Sequence, residues 1–364
     1  MVSRPAVSNA EPTYLSTLHH TYADAYDPLE AARAIYPEAV AGRASARLAE
    51  QFSTRLGIRR RSCVLDLGAL PDKVYSSPEH HPVAWGTRLF EESVPDSVRG
   101  EIGAVIASYN VTGHRDVLPG IAAQLVNELG IPFDAIPLDL PYLGCAGGVI
   151  ALERARQTAA ATGKAVFVYV FDQCFWTLHQ TFDRSDPRFR KSLIANCLFS
   201  DGAVSFLVLP ERLKHLASGP KMRLGAQRTL FIPGREIRMD GEVFLLGDAL
   251  AKVMPGLVMN ELVGPLLREA ELDRGEVDEW SLHQGGTAVM EAFTALDELP
   301  LSAAQIAPSL DAFREFGNLS GPSCFLVLRK HFERRADGDD TPRRGMVVGF
   351  GAGYYLSACL YDWE

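Results

Sequence analysis

The chain has 364 residues, 47% hydrophobic and 22% charged, with 36 basic and 45 acidic residues for a net charge of −9. These proportions are those of an ordinary globular protein and exclude a disordered, collagen-like or coiled-coil chain. The acidic balance and the absence of a basic stripe argue against a nucleic-acid partner.

No apolar run approaches the ~20 residues that span a bilayer, and the first residues carry no apolar core of a secretory signal. The expectation is therefore a cytoplasmic protein without membrane attachment. The six cysteines are Cys63, Cys145, Cys174, Cys197, Cys324 and Cys359, none in a C-x-x-C pair. They read as reduced thiols, and no metal site is expected.

In chain order, residues 1–60 read as helical, with Pro28 to Leu56 rich in Ala, Glu and Arg and closed by Gly57. From about residue 100 strands and helices alternate. Glu101 to Ser108, Ala135 to Leu140, Ala165 to Phe171 and Ala203 to Leu209 read as strands. Gly120 to Leu129 and Gly147 to Thr162 read as helices between them, each followed by glycine. The second half repeats the theme. Val258 to Ala270, Gly285 to Leu296 and Ser323 to Arg334 read as helices; Glu279 to His283, Met346 to Phe350 and Tyr355 to Tyr361 read as strands. The polar stretch 334–344 reads as a surface loop. Two halves of like order predict an α/β fold built on a duplicated unit.

Cys145 lies in LPYLGCAGG, between a strand and a helix. A thiol on such a turn is exposed beyond the strand end, and the helix behind it favours thiolate. A small packed core cysteine is the alternative. His283 lies in WSLHQGG at the end of a short strand, where sites in α/β folds gather. It is the natural base or cationic partner for a thiolate. Asn318, in FGNLSG before a helix, is either a turn residue or a side-chain amide that donates to an oxyanion. Gly349-Phe-Gly351-Ala352-Gly353 has the look of a dinucleotide loop, but only eleven residues follow it. It reads instead as a glycine-rich turn lining a cavity.

Cys145, His283 and Asn318, in that order and spacing, resemble the Cys-His-Asn set of thiolase-superfamily condensing enzymes. More closely, the chain resembles the type III polyketide synthases, the chalcone-synthase-like family, over roughly residues 45–364; the β-ketoacyl-carrier-protein synthases that start fatty acid chains share the triad. GCAGG at 144–148, LFSDGA at 198–203, WSLHQGG at 280–286, FGNLSGPS at 316–323 and GFGAG at 349–353 are similar to that family's motifs in order. Gln284 and Ala352 stand where the family usually has proline, and Leu118 stands near its interface-crossing methionine.

The resemblance implies a five-layer αβαβα thiolase-like fold, with an N-terminal half 1–210 carrying the cysteine and a C-terminal half 211–364 carrying His283 and Asn318. It implies an acyltransferase that joins acyl thioesters by Claisen condensation through an acyl-cysteine. The runner-up is a stand-alone ketosynthase joining two carrier-bound β-ketoacyl chains, with closure to an α-pyrone. No bound cofactor is implied. Coenzyme A or carrier-protein thioesters are the substrates, and a homodimer is the expected assembly. Arg59, Arg60 and Arg61 lie where the family carries basic residues near its coenzyme A entrance. Cys174, Phe182, Phe244, Gly351 and Ala352 are the candidate cavity residues, with Phe244 or Phe182 as gatekeeper.

Overall fold

The structure is a computed structural model, and it describes residues 11–114, 118–132, 134–240, 243–247, 249–341 and 343–364. Residues 1–10, whose sequence carries no apolar signal core, lie outside the described residues.

Strands are numbered in chain order: β1 (Thr13–Tyr22), β2 (Asp24–Tyr26), β3 (Arg61–Cys63), β4 (Ile102–Tyr109), β5 (Ile136–Pro141), β6 (Ala165–Gln173), β7 (Asp201–Pro210), β8 (Lys221–Phe231), β9 (Ile237–Asp240), β10 (Val243–Leu246), β11 (Glu279–Leu282), β12 (Arg344–Phe350) and β13 (Tyr355–Trp363). Nine of them form one sheet in the order β5-β4-β6-β7-β1-β8-β13-β12-β11. Short pairs β2-β3 and β9-β10 stand apart from it.

The duplication is visible in the pairing. Outward from the central β1/β8 pair, β1 meets β7 and β7 meets β6 antiparallel, and β6 meets β4 parallel. On the other side β8 meets β13 and β13 meets β12 antiparallel, and β12 meets β11 parallel.

Burial makes the layers. β6, AVFVYVFDQ, is buried along its whole length, as a β-branched and aromatic run between two helix layers must be. The helix Gly147–Thr162 is closed by Gly163 at φ 64°, a left-handed cap. It and the helix Ser323–Ala336 lie between the two halves of the sheet, where Val149, Leu152, Phe325 and Leu328 pack on Val168, Phe206 and Val347. The helices Pro82–Ser93 and Ile121–Leu129 cover the outer face of the first half through Trp85, Leu89 and Leu125. The continuous helical run over 250–269 covers the outer face of the second half through Met254, Met259 and Leu266. This gives the expected five layers. That run is long and apolar enough to cross a membrane by length and composition, but 56% of it is buried inside the fold, as a core helix is.

Two central strands are absent from the sequence reading. β1 falls in the stretch read as helical. Its alternation is broken by a bulge between Ser16 and Leu18, with Thr17 at φ 51°, and its second half carries His19 and His20. A bulge shifts the period-2 pattern by one residue and so hides a strand from periodicity. β8 is only half-buried, with Arg223 and Arg228 among its eleven residues.

His331, on the helix Ser323–Ala336, is buried among Glu279 of β11, Arg334 and Lys330 of its own helix, and Arg343 before β12. Its Nδ1 accepts from Arg334 Nη2 at 3.2 Å, so the ring is held neutral. Burial foremost, and then the arginines against the pull of Glu279, lower its pKa from 6.5 to about 4. The unfolded chain therefore binds this proton first as pH falls, and stability is lost between pH 6.5 and 4. His331→Gln is expected to remove up to ~3 kcal/mol of that acid loss. Urea unfolding at pH 7 and pH 4.5 checks this, and equal losses in wild type and variant contradict it.

Candidate active site

Cys145 sits on a short turn, Gly144–Ala146, between β5 and the N-terminus of the helix Gly147–Thr162. Gly144 has φ 60°, and a Cβ there would lie 2.5 Å from the backbone nitrogen of Ala352. Opposite it, a Cβ on Gly351 would collide with the backbone nitrogen of Cys145. Two glycines from the two halves thus let the β12–β13 turn press against the nucleophile turn.

The turn is held by Asn110, which follows β4. Its Oδ1 accepts from Gly144 N at 2.8 Å and its Nδ2 donates to Gly144 O at 3.1 Å. Asn110 is held in turn by Asp172 near the end of β6. That carboxylate accepts from Asn110 N at 2.7 Å, Asn110 Nδ2 at 3.0 Å, Val111 N at 3.0 Å and Gly321 N at 3.1 Å. Burial raises the Asp172 pKa, and these donors oppose the rise.

Gly321 belongs to the loop 317–322, which carries Asn318. The Asn318 amide oxygen accepts from Ser320 N at 2.8 Å and from Ser323 Oγ at 3.4 Å. An N–H donor fixes that atom as the oxygen, so Nδ2 is the group left to donate. Ser320 is at φ 60°, and its Oγ lies 3.3 Å from Cys145 Sγ.

His283 follows β11, its backbone N–H donating to Val348 O at 2.8 Å. The ring stands edge-on to Phe350 at 5.0 Å, and its Nδ1 is sealed from solvent without a partner among the described residues. It makes no hydrogen bond to Cys145. Burial lowers its pKa to about 3 and pushes the Cys145 thiol up to about 12, where the Ser320 hydrogen bond works the other way. The helix N-terminus also favours thiolate, but by only ~0.3–1 kcal/mol in ordinary cases.

A cavity of about 660 Å³, its open mouth included, lies in front of Cys145. Cys174, Phe244 and Ala352 line it, with Ser320, Asn110 and the hairpin residues Ile237 and Met239. His283 and Asn318 are buried and are not among the residues that line it.

Two sequence expectations need correction. Phe182 is not on the cavity; it packs edge-on against Tyr36 at 6.0 Å in the outer helix layer. The aromatic that meets Phe244 is Phe199, edge-to-face at 4.9 Å on the cavity wall. It lies in the LFSDGA motif, which gave the signal that could have found it. Arg61 does not reach the surface. It is 1% exposed and donates to Cys197 O, Asn196 O, Phe199 O and Ser200 Oγ, beneath the Phe175 ring. It braces the cavity wall and is not available to a coenzyme. Arg59 and Arg60 are exposed, Arg60 pairing with Glu315 at 3.0 Å. Among the described residues no group of three or more His, Cys, Asp or Glu is arranged to hold a metal.

No known protein-family profile matches the chain. Individual relatives do. A Bacillus subtilis protein provisionally named a chalcone synthase is 28% identical over 288 residues, 76% of this chain and 74% of that one. The 1,3,6,8-tetrahydroxynaphthalene synthase of Streptomyces coelicolor is 26% identical over 268 residues, 71% of this chain and 66% of that one. The solved type III polyketide synthase domain of Steely1 from Dictyostelium superposes with a TM-score of 0.78 at 15% identity, covering 96% of this chain and 99% of that domain. In sequence and in fold the chain is similar to type III polyketide synthases, and the fold is thiolase-like.

Gly144→Ala is expected to destabilise the protein by ~1–3 kcal/mol, because alanine must adopt the left-handed conformation and displace the Ala352 backbone. Denaturant unfolding measures this, and an unchanged midpoint contradicts the tight approach of the two turns.

Proposed function

We propose that this chain is a condensing acyltransferase of the type III polyketide synthase kind, joining acyl-coenzyme A thioesters on an acyl-Cys145 intermediate. The observation that carries the reading is the Cys145 turn. One thiol at a helix N-terminus faces a mainly apolar cavity with an open mouth, with the Asn318 loop bound against it through Ser320.

Cys145 Sγ attacks the carbonyl carbon of the first thioester, the S–H proton passes to His283 Nε2 and stays there, and coenzyme A leaves as its thiolate. Burial penalises a lone thiolate and a lone imidazolium alike, as the two pKa shifts show. A proton passed within the pair leaves the net charge of the buried site unchanged. With Nδ1 sealed, Nε2 is the nitrogen left to meet a ligand. A second, malonyl-type thioester then loses CO2, and the bond's electron pair becomes an enolate. His283 Nε2–H and Asn318 Nδ2–H donate to its oxygen. The enolate carbon attacks the acyl group, and the Cys145 thiolate leaves.

Arg59 and Arg60, exposed beside Ile58, are suited to the coenzyme's phosphates. Phe199 and Phe244 are suited to gate the passage. A homodimer would cover the unpaired edge strand β5, where Ile136 and Leu138 are exposed, together with Tyr142 at 76% and Leu118 at 89%. A reducing cytoplasm fits six cysteines that are all free and buried. In chain order the proposed division of the halves falls between β7 and β8, close to residue 210. One relative, from Mycobacterium tuberculosis, is named for alpha-pyrone synthesis, so the closure of the product to a pyrone is retained as part of the reading. No observation favours two carrier-bound chains over coenzyme A thioesters.

In a coupled assay with acyl- and malonyl-coenzyme A, Asn318→Ala is expected to load the acyl group but condense ~10²–10³-fold more slowly. Cys145→Ala is expected to do neither. Condensation by Cys145→Ala at the wild-type rate overturns the reading.

A further inference from the structure

Gln284 occupies the position after His283, where the resembling family has a proline. Its side chain is 1% exposed. Its Nε2 donates two hydrogen bonds, to Leu282 O at 3.1 Å and to Ser323 O at 3.2 Å. The first acceptor precedes His283 in the chain. The second opens the helix Ser323–Ala336, and the hydroxyl of the same Ser323 accepts from Leu319 N at 2.9 Å and donates to the Asn318 amide oxygen at 3.4 Å. One buried nitrogen therefore crosses from the segment that carries the imidazole to the residue that holds the amide. Proline has neither a side-chain donor nor a backbone N–H, so it makes no such link.

We propose that Gln284 is a positioning residue: it sets the separation of His283 and Asn318 so that both donors converge on one enolate oxygen. The inference rests on the roles given to those two residues above. Acyl loading at Cys145 does not need the converged pair, whereas decarboxylation and condensation do. Losing Gln284 should separate the two half-reactions.

Gln284→Met keeps the length of the side chain and removes both donors, leaving two buried carbonyls unpaired. It is expected to lower kcat for condensation by about 10–100-fold, the scale of a sub-ångström to 1 Å misplacement. KM for the acyl donor and the extent of Cys145 acylation by intact mass should stay at wild-type levels. Gln284→Glu should recover part of the lost condensation toward acid pH, where a neutral carboxyl can donate one of the two bonds. Ser309→Ala is the control. It removes a buried bond to Leu282 N, at 3.1 Å, on the same strand without touching the Asn318 side. It should lower the melting temperature with no selective loss of condensation. The proposal is overturned if Gln284→Met leaves condensation unchanged, or if loading and condensation fall together in step with Ser309→Ala. If the wild type fails to load any thioester, the functional reading falls instead. The positioning claim is then decided by a crystal structure of Gln284→Met, in which an unmoved His283–Asn318 separation overturns it.

Discussion

One buried carboxylate, Asp172, holds the site together. Four hydrogen bonds reach it from two distant parts of the chain, the segment after β4 and the loop after residue 317. A carboxylate without such donors would cost several kcal/mol to bury. The same bonds that make its burial tolerable also fix Asn110 against the Cys145 turn and Gly321 beside Ser320. The half that carries the thiol and the half that carries the amide are thus joined at a polar centre, which fixes orientation in a way that apolar packing alone does not.

Around that centre, approach is limited by the bare backbone of glycines. Gly144 and Gly351 bring two turns into contact, and Gly148 admits the Phe325 ring and the Gly321 carbonyl at the start of the central helix. The cavity exists where this contact ends. Its far wall is braced by Arg61, whose guanidinium ties together carbonyls around the end of the helix Phe189–Leu198. A charge that deep is stable only because it is hydrogen-bonded on several sides. The consequence is a mainly apolar chamber with a few polar groups at one end, suited to an acyl chain anchored by a thioester.

Much of this was legible in the sequence, for a physical reason. Cys145, His283 and Asn318 each stand at a boundary between a strand or loop and a helix, and such boundaries announce themselves through glycine and apolar runs. The alternation of strands and helices gave the fold class for the same reason. What stayed hidden depends on contacts between distant segments. Ser320 and Asp172 acquire their roles only when two loops meet. Phe199 faces the cavity, and Phe182 does not, because of how the helix Phe189–Leu198 packs. Arg61 reads as a surface charge beside Arg59 and Arg60 until β3 is seen to point it inward. β1 was concealed by its bulge and its histidines, although it lies at the middle of the sheet.

Acylation of Cys145 is decided by peptide-mapped mass spectrometry of the protein after brief exposure to a panel of acyl-coenzyme A thioesters. A single acyl adduct is expected on the peptide that contains Cys145, removable by hydroxylamine as a thioester is. An adduct confined to Cys174, or on a residue outside the cavity, would contradict it.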